Sequence, residues 1–211
     1  MTSLVLPPAP APAGAGGNIV GRAVVAASAM AAGVEHTCAL LSTGDVRCWG
    51  HNAHGELGRG DIETTGDDEP AAAGDYVRLG GDAVAIAAGG AHTCALLTTG
   101  DVRCWGYNLD GELGYGNTTT IGDDETPASA GDVTLGGSAV AITAGEQHTC
   151  ALLTTGGVRC WGYGGDGVLG YGNTATIGDD ETPASAGDVP LGAKAVALAA
   201  GGAHTCALLS T

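Results

Sequence analysis

The sequence predicts an all-β protein built from one short unit that is repeated along the chain. A segment of about fifteen residues, 36–50, returns at 92–106 and 148–162, and its first half returns at 204–211. The copies lie 56 residues apart, and a fixed period of this kind is typical of repeat architectures rather than of a single core. The apolar runs are short and lack the helical period, so we expect many short strands.

Each repeated segment is predicted to form a β-hairpin. In the first copy the runs 38–41 and 46–49 are short and apolar, and Gly44 lies in the turn between them. A three-residue loop with glycine in the left-handed region suits this turn. The resulting register places Cys38 opposite Cys48 in a non-hydrogen-bonded pair, where side chains approach most closely.

This register permits one cross-strand disulfide in each complete hairpin. We expect the pairs Cys38 with Cys48, Cys94 with Cys104 and Cys150 with Cys160, and an unpaired thiol at Cys206. Two alternatives stay open at this point: buried free thiols, and a zinc site made of His36, Cys38 and Cys48, for which the fourth ligand is missing. Six regularly placed cysteines favour an oxidising compartment, extracellular or periplasmic.

A strand of small residues precedes each hairpin, at 23–33, 83–89, 139–145 and 195–201. In a radial array of sheets the innermost strands converge on the axis, which favours alanine and glycine there. The order of small strand, hairpin and loop therefore predicts a blade of a β-propeller. A tryptophan ends the third strand of each complete unit, where its ring can fill the wedge between blades: Trp49, Trp105 and Trp161.

The loops after the hairpins contain turn-forming residues with one leucine that we expect to point inward. Glu56 and Glu112 recur there, but the third copy has Val168, which argues against a catalytic role for the two acids. A longer connection follows, and the segments 77–79, 133–135 and 189–191 are predicted to form a fourth, outer strand. Pro190 suits such an edge because proline cannot donate to a ladder.

Three acidic turns with the sequence Gly-Asp-Asp-Glu are the only candidate metal sites besides the cysteines. Clustered carboxylate oxygens are what calcium needs, although blocks of acids usually mark a solvated surface. Calcium is thus the one cofactor considered, and its candidate ligands are Asp67, Asp68, Glu69, Asp123, Asp124, Glu125, Asp179, Asp180 and Glu181.

Composition excludes several classes of function. A formal net charge of −16 repels phosphate backbones, so we expect no binding to nucleic acid. No apolar run reaches the roughly 18 residues of a membrane-spanning helix. The usual nucleophile, phosphate-binding and metalloprotease motifs are absent from the sequence, so we expect no enzyme.

Residues 1–17 are predicted to be a Pro/Ala/Gly-rich linker, and residues 18–211 the propeller repeat domain.

The motif Ala-Gly-x-x-His-Thr-Cys-Ala-Leu, followed by Gly-Asp-Val-Arg-Cys-Trp-Gly and Asn-x-x-Gly-Glu-Leu-Gly, resembles the repeat of the regulator of chromosome condensation family. The resemblance covers nearly everything after residue 20 and implies four-stranded blades in a propeller that usually has seven. The cysteine-paired form is similar to bacterial repeats of this family. Because the family uses the histidine without cysteine, the resemblance implies structural roles for His36, His92, His148 and His204.

Three complete units and a partial fourth predict an open arc. We expect either a fragment of a longer protein or arcs that self-associate through their exposed edges; residues 19–25 are a poor clasp because they contain neither Cys nor Trp. The nucleotide exchange activity of the founding member is not carried over to this acidic chain. Two functions remain: a protein-interaction module that displays loops on one face, and a structural or adhesive repeat of an exported bacterial protein, assisted by calcium.

Overall fold

The structure is a computed structural model that describes residues 25–210. The predicted linker at 1–17 and all but the last residue of the segment 19–25 lie outside this range. Within the range the chain is all-β apart from short helical turns, as the repeat predicts. None of the helices in this part of the chain has the length and apolar character that a membrane crossing needs.

Within residues 25–210, three antiparallel sheets with three strands each follow one another along the chain, and a two-stranded sheet comes after them. The strands are, in the first sheet, β1 (Ala27–Ala32), β2 (His36–Leu41) and β3 (Val46–Gly50); in the second, β4 (Ala83–Ala88), β5 (His92–Leu97) and β6 (Val102–Gly106); in the third, β7 (Ala139–Ala144), β8 (His148–Leu153) and β9 (Val158–Gly162); in the last, β10 (Ala195–Ala200) and β11 (Thr205–Leu209). The middle strand of each complete sheet is the second in sequence.

The hairpins have the register that their turns predict. Cys38 lies opposite Cys48 in the pairing of β2 with β3, and the same pairing recurs in the next two sheets. The N–H of Leu41 donates to the carbonyl of Asp45 over 2.8 Å, which closes the hairpin. Gly44 has a φ of 89°, a conformation that residues with a Cβ rarely adopt.

The prediction of a fourth, outer strand is wrong: within the described residues, each complete sheet has three strands. The N–H of Val77 donates to the carbonyl of Val46, but the N–H of Leu79 turns back to the carbonyl of Val77 over 3.1 Å. This i to i+2 bond is a γ-turn, which bends the backbone away from the sheet. Residues 133–135 and 189–191 likewise form no strand. At the end of β3, one isolated antiparallel bridge joins Gly50 to Thr65.

The connections between the sheets contain helical turns that the sequence did not predict. These are α1 (Pro127–Ala130), α2 (Pro183–Ala186) and 3-10 turns at Ala71–Ala73 and Gly165–Gly167. The two α turns begin at a proline, which fits the first turn of a helix because its missing N–H needs no partner there. They pack against β6 and β9 respectively.

The hydrophobic core lies between successive sheets. Trp105 and Trp161 are completely buried there, whereas Trp49 is partly exposed. The indole Nε1 of Trp105 donates to the carbonyl of Glu56 over 2.8 Å, and Trp161 makes the same bond to Glu112. Each buried tryptophan therefore joins its own sheet to the loop of the preceding one.

Candidate protein-interaction face

Two sets of connections lie at the same end of the sheets. The turn between the first two strands meets the loop after the third strand, since the N–H of His51 donates to the carbonyl of Glu35 over 2.9 Å. Tyr107 and Tyr163 make the same bond in the next two sheets. We call this surface the loop face; it consists of the turns 33–35, 89–91, 145–147 and 201–203 and the loops 51–58, 107–114 and 163–170.

A buried asparagine organises the first loop. The Oδ1 of Asn52 accepts from the N–H of Leu57 over 2.9 Å, while its Nδ2 donates to the carbonyls of Asp61 and Glu63. Asn108 makes the equivalent bonds in the second loop. Sequence reasoning treated these asparagines only as turn residues, although the recurrence of Asn followed five residues later by Leu was a signal for them.

The third loop is built differently because Gly164 replaces the asparagine. It forms a 3-10 turn in which Asp166 has a φ of 58°, and the N–H of Gly164 donates to the hydroxyl of Thr176 over 3.4 Å. Aspartate tolerates this left-handed conformation better than most residues. The loop face is therefore most regular across the first two sheets.

Glu56 and Glu112 have structural roles in these loops. Each is 1% exposed, and one carboxylate oxygen accepts the N–H of the residue two positions earlier, over 2.8 and 2.9 Å. Burial raises the pKa of Glu112 to about 7, because a carboxylate loses hydration inside the protein. Val168 at the equivalent position shows that the fold tolerates the loss of the acid.

Aromatic and aliphatic side chains stand exposed among the acids of the loop face. The ring of His54 lies edge-on against Tyr107 with 5.1 Å between centroids, which links the first loop to the second. Tyr163 is 40% exposed, Leu109 60% and Val34 62%. No lysine or arginine occurs in the turns and loops that define this face, whereas acids recur there.

The arginines of the third strands lie at the outer edge of the sheets, where their charge is already partnered. The Nε of Arg103 lies 2.7 Å from a carboxylate oxygen of Asp132, and Arg159 pairs with Asp188 over 3.0 Å. Arg47 instead lies over the ring of Tyr76, 4.3 Å from its centroid. Because these three arginines have partners at the outer edge, they do not neutralise the acids of the loop face.

In each of the three acidic turns the three carboxylates bring oxygen atoms within 4.8 Å of one another. The carbonyl of Gly122 accepts from Gly60, and that of Gly178 from Gly116, so the second and third turns pack on the loop of the preceding unit. Desolvation raises the pKa of Glu125 and Glu181 to about 7, and a hydrogen bond that the protonated glutamate donates to the adjacent aspartate adds to the effect. Calcium binding at these turns stays a prediction.

The paired cysteines and the histidines His36, His92 and His148 are buried, and each of these histidines faces the following sheet. The sulfur atoms of Cys38 and Cys48 are at disulfide-bonding distance, as are those of the two equivalent pairs, while Cys206 is an exposed free thiol. The Nε2 of His36 is turned to the hydroxyl of Thr93 in the next sheet, 2.8 Å away. The zinc alternative is not formed, because two of its ligands are bonded to each other and the third has a different partner.

Two family models with the description "Regulator of chromosome condensation (RCC1) repeat" match the chain. One matches residues 27–56, 83–112 and 139–168, and the other residues 43–96. Together they cover more than half of the sequence, and each match of the first model begins at or near the first strand of a sheet.

Several curated relatives are similar in sequence. The mouse protein named "RCC1 domain-containing protein 1" is 28% identical, over 69% of this chain and 46% of its own length. The rat protein named "Probable E3 ubiquitin-protein ligase HERC4" is 36% identical, over 69% of this chain and 13% of its own length. The chain thus spans less than half the length of these relatives.

Solved structures show the same fold. The yeast RCC1 protein Prp20, in a crystal structure with Kap60, superposes with a TM-score of 0.67 at 19% identity, over 88% of this chain and 43% of its own. A structure of Prp20p from Saccharomyces cerevisiae, whose title mentions its binding to Gsp1p and histones, gives 0.66 at 21% identity, over 86% of this chain and 43% of its own. The successive sheets therefore correspond to consecutive blades of an RCC1 propeller.

Proposed function

The chain belongs to the regulator of chromosome condensation repeat family, and we propose that it is a non-catalytic protein-interaction module that binds its partner through the loop face. The observation that carries the proposal is the combination of exposed Tyr163 and Leu109 and half-buried Tyr107 with acids and without any basic residue. Aromatic side chains dominate the binding energy of many interfaces. Complementary charge adds specificity and speeds association.

The partner that this surface fits is a protein segment rich in lysine and arginine. Glu35, Asp110 and Asp166 lie on the loop face around the exposed rings, and the chain as a whole has a net charge of −16. Such a field steers a basic partner toward the surface and repels an acidic one. The buried asparagines hold the first two loops in place, so little conformational entropy is lost when a partner binds.

The relatives support a binding role without identifying the partner. One relative is named a probable E3 ubiquitin-protein ligase, and the titles of the yeast structures mention Kap60, Gsp1p and histones; the similarity of this chain to them lies in its repeats. We do not extend ligase or exchange activity to this chain, because it matches only part of each relative.

The three cysteine pairs are consistent with an oxidising environment, and we place the module in an extracellular or periplasmic compartment.

Binding of a fluorescent peptide rich in lysine and arginine tests the proposal. Two variants with three neutralised acids each are compared: Glu35→Gln, Asp110→Asn and Asp166→Asn on the loop face, and Asp45→Asn, Asp82→Asn and Asp101→Asn at the opposite end of the sheets. We expect the loop-face variant to weaken binding about tenfold or more and the opposite variant to change it little. Equal weakening by both variants would mean that only net charge matters, and the proposal would be overturned.

A further inference from the structure

Two features of the contact between successive sheets recur each time it occurs. The Nε2 of a histidine on the second strand lies 2.8 to 2.9 Å from the threonine hydroxyl of the following sheet, in the pairs His36 with Thr93, His92 with Thr149 and His148 with Thr205. A backbone ladder runs beside these pairs: Val34 donates to Gly90, Gly90 to Glu146 and Glu146 to Gly202, over 2.8 to 3.1 Å. We call the side of a sheet that carries the histidine and meets the following sheet its forward half, and the side that carries the threonine and meets the preceding sheet its backward half.

The forward half consists of side chains at alternate positions of the second strand. Leu40, Leu96 and Leu152 are 3% to 4% exposed because the following sheet covers them. The equivalent Leu208 on β11 is 64% exposed, and His204 and Cys206 beside it are also exposed. The last described sheet thus presents an open forward half.

The backward half is open on the first sheet. Thr37 and Trp49 are partly exposed, whereas the equivalent Thr93 and Trp105 are completely buried. Met30 on β1 is 55% exposed, while Ile86 at the same position of β4 is partly buried against the core. The two ends of the described arc therefore expose the complementary halves of one contact.

We propose that the chain associates head to tail, with the open forward half of one copy against the open backward half of a second copy. In this contact His204 donates to the Thr37 hydroxyl of the second copy, and the N–H of Gly202 donates to the carbonyl of Val34. The association continues the histidine–threonine and backbone bonds that the fold already forms three times, and on the forward side these bonds need only the first two strands of a sheet, both of which the last described sheet has.

The geometry of the contact limits the assemblies that it can form. A contact of this heterologous kind either closes into a ring or continues as a chain of copies. Because both partners have a net charge of −16, salt should strengthen the association by screening their repulsion.

Sedimentation velocity of the full chain, with reductant present at a level that keeps Cys206 reduced, tests the inference. We expect species of two or more copies that dissociate on dilution and are favoured by salt. Leu208→Asp blocks the forward half and Met30→Asp the backward half, so each variant alone should be monomeric. Leu109→Asp on the loop face is the control and should associate like the unaltered chain.

Mixing the two blocked variants separates a head-to-tail contact from a symmetric one. The Leu208→Asp chain retains its backward half and the Met30→Asp chain its forward half, so an equimolar mixture should form a dimer and nothing larger. Circular dichroism of each variant checks that these exposed positions leave the fold intact. A chain that stays monomeric at high concentration and high salt, or association that survives in either variant alone, would overturn the inference.

Discussion

The imidazole Nε2 of His92 lies 2.9 Å from the hydroxyl oxygen of Thr149, although the two residues are 57 positions apart and belong to different sheets. The same hydroxyl donates to the carbonyl of Glu112 over 3.1 Å, so toward the histidine it acts as an acceptor. His92 must then have its proton on Nε2. Burial lowers the pKa of His92 to about 3, and the neighbouring His36 and His148 add to the effect, which keeps the ring neutral.

A double-mutant cycle on this pair should give a positive coupling energy. We expect His92→Ala and Thr149→Val each to lower the free energy of unfolding by about 1 to 3 kcal/mol, because each leaves a buried polar partner without its bond. The coupling should be about 1 kcal/mol. Urea denaturation of dilute protein measures all four free energies.

Thr37→Val is the matched control for that cycle. Thr37 occupies the same position in the first sheet, and residues 25–210 contain no preceding sheet whose histidine could contact its hydroxyl. Its replacement should cost clearly less stability than that of Thr149. Equal losses at the two positions would show that the threonines act within their own sheets and that the contact with histidine contributes nothing.

The carboxyl of Glu112 should make stability depend on pH. Its pKa is raised by burial from the ordinary value of 4.5 to about 7, so between these values the folded chain binds more protons than the unfolded one. The contribution of the protonated Glu112 carboxyl to the free energy of unfolding is therefore present at low pH and is lost as the pH rises from 4.5 to about 7. Glu112→Gln should be more stable than the unaltered chain by about 1 to 3 kcal/mol above pH 7 and by little at pH 4.

Glu146→Gln provides the control for this pH dependence, because Glu146 is exposed. Its free energy of unfolding should differ from that of the unaltered chain by a similar small amount across the same pH range. Thermal or urea unfolding at several pH values measures both variants. An advantage of Glu112→Gln that does not change with pH would contradict the raised pKa.

Gly89→Ala should destabilise the contact between sheets. A Cβ at Gly89 would lie 2.7 Å from the carbonyl oxygen of Gly145 in the next sheet and would also overlap the ring of His92. We expect a loss of about 1 to 3 kcal/mol, typical of overpacking. Gly81→Ala is the control, since a Cβ there would make only ordinary contact, at 3.6 Å, with Leu97; equal melting temperatures of the two variants would contradict the prediction.

The six paired cysteines should be protected from alkylation. With seven cysteines in the chain, we expect one alkylated thiol, that of Cys206, in denatured protein without reductant and seven after reduction. Loss of each disulfide should cost about 2 to 3 kcal/mol through the entropy of a short loop. Intact-mass measurement counts the modified thiols, and seven before reduction would show that the pairs are not oxidised.

The repeat and its hairpin register could be predicted because they depend on local rules. The turn at Gly44 sets which residues face each other, and the same turn recurs in each copy. The structure at the outer edge of each sheet could not be predicted from local rules. The segment 77–79 has the apolar alternation of a strand, but tertiary contacts leave it with one bond to β3 and a γ-turn.

The contacts between sheets were also missed, since the partners are one whole repeat apart. Thr93 follows a histidine in the sequence, and nothing local shows that its hydroxyl meets the histidine of the preceding unit. The role of Asn52 was hidden for a similar reason, because its partners Asp61 and Glu63 lie in a variable loop. Sequence reasoning did not single out the acids of the loop face that surround the proposed binding surface, and it did not place them beside Tyr107 and Tyr163.

Hydrogen exchange measured with and without a saturating peptide rich in lysine and arginine tests the central claim most directly. If the loop face is the binding surface, amides in residues 51–58, 107–114 and 163–170 should exchange more slowly in the complex. The hairpin turns 42–45, 98–101 and 154–157 at the other end of the sheets should be unchanged. Protection confined to those hairpin turns, with no change in the loops, would contradict the account.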